Sequence, residues 1–125
     1  MESTEYLDEA ELMALYAEYD AALQDVQIAD AAAEQKLKGA KAMQHRAAER
    51  VENGLSDLDA LEVNVFLASS LLADRFAIVT RLREQQVSWA KIGEILGMSR
   101  QAAQQWHDYF HLRPRAANPT KQLRP

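Results

Sequence analysis

The chain of 125 residues has no cysteine. That absence excludes a disulfide framework and any thiolate metal centre, and fits an intracellular, cytoplasmic protein. Proline occurs three times, always after residue 112, and glycine four times. With 48% hydrophobic residues, this scarcity excludes a chain disordered throughout. A glycine-rich phosphate loop and a serine or cysteine nucleophile motif are both missing. The carboxylates, though plentiful, fall on what reads as a solvated helix rather than a cleft, so an enzyme is not expected. The opening MESTEYLDEAE is acidic, unlike a signal peptide. The longest apolar run, residues 63–79, is interrupted by Asp74 and Arg75, so a membrane span is not expected either.

Charge is unevenly distributed. Residues 1–75 hold 16 acidic and 6 basic side chains, whereas residues 76–125 hold 3 and 8. The net charge of −5 therefore conceals a basic C-terminal part suited to phosphates and an acidic part suited to another role. Within the acidic part, residues 1–34 carry ten acidic groups and no basic one, while residues 35–52 carry Lys36, Lys38, Lys41, Arg46 and Arg50.

From Tyr6 to Glu52 no proline interrupts the chain. Leu12, Leu15, Tyr19, Ala22, Val26, Ala29, Ala33, Ala40, Met43 and Ala47 follow an a/d spacing. This predicts either one long helix or two helices meeting near Gly39. An antiparallel contact would set the acidic half against the basic half, between two copies or within a folded hairpin. Alternatively, the stripe packs on the chain's own third helix. Asn53-Gly54 ends the segment, with Gly54 expected in the left-handed region, and Ser56 with Asp59 resembles a capping box for the next helix, about Leu58–Gln85. In that helix Leu61, Val65, Ala68, Leu72, Phe76, Val79 and Leu82 form the expected buried stripe.

Residues 87–106, VSWAKIGEILGMSRQAAQQW, are the most informative stretch. Ser88 is a natural N-cap, with Val87 and Ile92 placed as a hydrophobic staple. The helix from Trp89 to Leu96 is closed by Gly97, a natural left-handed residue. Ser99 caps a second helix running to about His111. Ile92, Leu96, Met98, Ala103 and Trp106 fall where two crossed helices share a core, and a bulky side chain at Gly93 would hold them apart. Arg100, Gln101, Gln104 and Gln105 are left exposed. Arginine and glutamine suit base-edge readout, because each can pair two-pronged with a base. Ser99, Lys91, Arg81, Arg83 and His107 are placed for phosphates.

On Ile92, Gly93, Leu96, Gly97, Met98, Ser99, Ala103 and Trp106, this stretch resembles the helix-turn-helix of bacterial and phage repressors and of sigma-factor-like DNA-binding domains. The resemblance covers residues 87–106. It implies a tri-helical DNA-binding core whose recognition helix starts near Ser99. The chain departs from the common pattern at Gly93, where alanine is more usual.

The sequence thus predicts an all-α protein. A coiled-coil-like N-terminal helical segment, residues 1–53, serves dimerisation. A tri-helical helix-turn-helix domain spans residues 55–111, and a basic flexible tail residues 112–125. The expected function is a dimeric transcriptional repressor on double-stranded DNA, reading inverted half-sites. The competing reading is a protein-interaction module whose acidic helix binds a basic partner or mimics DNA. His107 and His111 share a helix face, but two histidines fall short of a zinc site, so neither metal nor cofactor is expected.

Overall fold

The computed structural model describes residues 6–123. The expectation of frayed residues 1–4 lies outside this range, as do residues 124–125 of the expected tail. All regular structure among the described residues is helical: α1 (Glu9–Glu34), α2 (Ala40–Asn53), α3 (Asp57–Glu84), α4 (Trp89–Leu96) and α5 (Arg100–Tyr109). Two single 3-10 turns, Phe110–Leu112 and Pro119–Lys121, follow.

The N-terminal segment is two helices. At its start, the Asp8 carboxylate accepts from the Glu11 amide at 2.8 Å while Glu11 accepts from the Asp8 amide at 3.3 Å, a complete capping box. At its end, the Leu37 amide bonds to the Ala32 carbonyl and the Lys36 amide to the Ala33 carbonyl. This is the paired closure of a helix that finishes on a left-handed residue. Here that residue is Lys36, at φ 57°, and Gly39 at φ 83° then opens α2.

The chain consequently folds back as an antiparallel hairpin. Ala22, Ala29, Ala32, Ala40 and Ala47 are buried along it. Arg50 donates to Glu18 at 2.6 and 2.9 Å and also bonds Asp25, and Gln44 donates to Asp30 at 3.0 Å. The acidic half thus meets the basic half within one chain, as the charge pattern favoured. Gly54 departs from expectation: at φ −96° it is extended, and α2 ends without a left-handed glycine.

The contacts divide the chain elsewhere than at Asn53-Gly54. One compact unit comprises the described residues up to Leu67 together with those from Ala117 onward; the other is Ala68–Ala116. The division falls inside α3. In the first unit, Leu12, Val63 and Leu67 form the core, with Leu7, Tyr16, Leu55, Phe66 and Leu123 against them. Tyr19 donates to Asp57 at 2.8 Å and Asn64 to Tyr16 at 3.0 Å, fixing α1 on the first half of α3.

Two expectations change as a result. In the first half of α3 the buried face is Ala60, Val63 and Leu67, whereas Leu61 and Val65 of the expected stripe are 59% and 50% exposed. The end of the expected flexible tail is held: Asn118 Nδ2 donates to the Leu7 carbonyl at 2.9 Å, the Leu7 amide donates to Thr120 Oγ1 at 3.1 Å, and Pro119 is buried. By length and composition α3 is also apolar enough to cross a membrane, although its run was expected to be too interrupted by Asp74 and Arg75.

Candidate nucleic-acid interface

The second unit is built from the C-terminal half of α3 with α4 and α5. Ser88 Oγ accepts from the Lys91 amide at 3.1 Å, and Ser99 Oγ accepts from the Ala102 amide at 3.0 Å, so both serines are the N-caps the sequence predicts. Between them, Gly97 sits at φ 71°, ψ 30°. The Met98 amide bonds to the Gly93 carbonyl at 2.8 Å and the Gly97 amide to Glu94 at 3.3 Å. This closure occupies the last free carbonyls of α4 and launches α5 in a fixed direction.

Gly93 is what lets the turn close. A Cβ at this position would stand 2.7 Å from the Met98 carbonyl oxygen and 3.1 Å from that of Ser99. The close approach expected at Gly93 is therefore to the backbone of the turn itself. That explains the departure from the alanine of the resembled motif: this turn passes too near for any side chain.

Ile92 and Ala103 are 1% and 0% exposed and lock α4 to α5. Leu96, Met98 and Trp106 are half-buried around them, as the apolar spacing predicts. An aromatic cluster joins α5 to α3. Phe76 stacks on His107 with centroids 4.6 Å apart and on Phe110 at 4.9 Å, and Trp106 lies 5.4 Å from Phe110. Phe76 was legible as a core residue, but its stacking on a histidine was not.

The expected base-reading residues Arg100, Gln101, Gln104 and Gln105 are all exposed on α5. Arg100 and Gln104 are one turn apart, as are Gln101 and Gln105, so the four make two adjacent rows on one side of the helix. Tyr109, 63% exposed and one turn beyond Gln105, extends that side. Sequence reasoning left it unassigned, although its spacing from Gln105 signals it. Asp108 also lies on this side, about 12 Å along the axis from Arg100, so the negative charge is kept to the far end.

The expected phosphate residues separate into two groups. Lys91 and Ser99 are exposed beside the turn, with Lys91 Nζ only 3.9 Å from Glu94 in a solvated pair. Arg81 is exposed on α3, sharing a face with Asp74 seven residues earlier. Arg83 instead donates to the Val87 carbonyl at 2.7 Å and lies 4.9 Å over the Trp89 ring, bracing the α3–α4 connection. His107 faces inward: its Nε2 is 2.8 Å from Thr80 Oγ1. Thr80 Oγ1 also lies 3.0 Å from the Phe76 carbonyl oxygen, to which it donates. Arg83 and His107 thus each have a partner within the unit, Arg83 while remaining exposed.

The unit carries seven lysine and arginine side chains against four acidic ones, in a chain that is acidic as a whole. Compared with known proteins, the chain matches no family model, no curated sequence and no solved structure.

Proposed function

We propose that the chain is a sequence-specific DNA-binding regulator, a dimeric repressor, in which α5 enters the major groove. One observation carries this reading: the turn at Gly97, closed onto Gly93 and flanked by two serine caps, leaves Arg100, Gln101, Gln104 and Gln105 together on an exposed helix. Side chains near the start of such a helix reach base edges, while groups at the preceding turn hold the backbone. Arg100 suits guanine and the glutamines suit adenine. Lys91 and Ser99 take phosphates and set the register. Two copies related by a two-fold axis would meet half-sites about 34 Å apart or a multiple of that.

A selection of bound duplexes from a random pool tests the reading. The expected outcome is an enriched inverted repeat, bound more weakly as salt rises because counterions are released. A pool that shows no enrichment, from a protein that retains no duplex at low salt, removes it.

The interaction-module reading keeps one specific support. Helix α1 exposes Met13 and Ile28, at 46% and 59%, among its acidic residues. Capture of a basic partner protein through residues 1–52, without DNA, would favour it.

A further inference from the structure

The second unit holds a largely apolar groove that nothing among the described residues fills. It lies between the C-terminal half of α3 and α4 and has a volume of about 460 Å³. Leu82, Leu96 and Ile92 form its base, with Leu71, Ile78 and Ile95 at its edges, where the exposed Asp74 and Arg75 also line it. Those three edge residues are 59%, 55% and 69% exposed. The unit buries few large side chains fully, Val79 and Ile92 being the two. A core this small is marginal alone, and three exposed large apolar side chains around one groove fit a contact surface.

We propose that a second copy of this chain covers the groove, with α3 crossing α3 of the partner subunit antiparallel near Ile78. The charges flanking the exposed ridge select this occupant. Leu71 and Ile78 are seven residues apart on the ridge, and Asp74 and Arg81 are seven apart along one flank of it. Asp74 and Arg81 are exposed, and among the described residues neither forms an ion pair.

When two identical helices pair antiparallel about a two-fold axis, like flanks face each other. With the axis beside Ile78, Asp74 falls opposite the partner's Arg81, and Arg81 opposite the partner's Asp74. Ile78 meets its own copy. Of the α3 residues lining the groove, Arg75, Val79 and Leu82 fall on the side of the ridge away from Arg81, so α4 of each subunit faces the partner's groove, with exposed Ile95 as the knob. One surface thus carries both the knob and the hole, and both halves of its ion pair, as a two-fold contact requires. No residue of α5 lines the groove, so the proposed DNA-reading side stays free.

This contact differs from one through the N-terminal helix, whose small residues are buried in the α1–α2 hairpin. It does not depend on the DNA reading, since association is measured without DNA.

The test is sedimentation equilibrium of the full chain across a concentration series, with the Ile95→Glu, Asp74→Arg and Arg81→Asp variants. Helical content is checked by circular dichroism, and all three changes fall on exposed positions. The wild type is expected to dimerise. Ile95→Glu should weaken association at least about 30-fold, equivalent to ~2 kcal/mol. Asp74→Arg and Arg81→Asp should each weaken it roughly tenfold, because two pairs are lost per dimer. Mixed together, the two charge variants should associate as tightly as the wild type, a recovery that no loss of folding can mimic. A monomer at every concentration, a dimer indifferent to Ile95→Glu, a mixture without recovery, or a monomer that instead binds lipid vesicles through α3 would each overturn the proposal.

Discussion

Three helices end on a residue with positive φ: α1 at Lys36 (φ 57°), α3 at Gln86 (φ 66°) and α4 at Gly97 (φ 71°). Each end has the same pair of bonds, from that residue's own amide and the one after it back into the last turn. Only at Gly97 does the residue type announce the conformation, which is why the sequence located that turn and not the others. The left-handed region strains any residue with a Cβ. Lys36→Gly and Gln86→Gly are therefore expected to raise stability by about 0.5–1 kcal/mol each in urea denaturation. A loss at either site would mean that the helix end is built otherwise. Gly93→Ala should act oppositely. Its Cβ would be driven against the Met98 carbonyl oxygen, and the expected cost is about 1–3 kcal/mol. A neutral Gly93→Ala would show that the turn has room to relax.

At the scale of the element, periodicity located the helical segments, leaving open whether the first was one helix or two, but could not choose the buried face where a helix is apolar all round. In the first half of α3, Ala60, Val63 and Leu67 satisfy helical spacing as well as Leu61, Val65 and Ala68 do. The choice is made by α1, through Tyr16 and Tyr19, and no local signal carries it. The hairpin was more legible, because its charges are segregated along the chain. Hydrogen bonds from Arg50 hold the Glu18 carboxyl below the usual carboxylate range, partly offset by desolvation. A lowered folded-state pKa contributes stability above the unfolded value, and that contribution is lost as pH falls through the folded value. The hairpin should accordingly loosen only in acid, below the ordinary range of a glutamate. In an NMR titration, Arg50→Met should return the Glu18 carboxyl to its ordinary value. A carboxyl that titrates unchanged in Arg50→Met contradicts the clamp.

For the whole molecule, α4, α5 and the exposed edge between them were readable, because caps, glycines and apolar spacing agree there. The unit boundary was not. Asn53-Gly54 ends a helix, yet Val63 and Leu67 beyond it are covered by Leu7, Leu12 and Tyr16. Deleting residues 1–52 should expose that core, with lost cooperativity in thermal melts, rather than release an intact C-terminal domain. The return of Asn118 and Thr120 to Leu7 is a contact across most of the chain, for which the proline-rich composition of the tail gave no sign.

The exposed edge of α5 remains the centre of the account. Its most direct test is the affinity of the full chain for a selected duplex and for a scrambled one, with and without Arg100→Ala and Gln104→Ala, over a range of salt. Each substitution should reduce discrimination between the duplexes by about 1–3 kcal/mol while leaving the scrambled duplex nearly unaffected. Lys91→Ala should weaken both duplexes alike and flatten the salt dependence. Equal binding of both duplexes by the wild type, or discrimination untouched by Arg100→Ala and Gln104→Ala, would contradict the account.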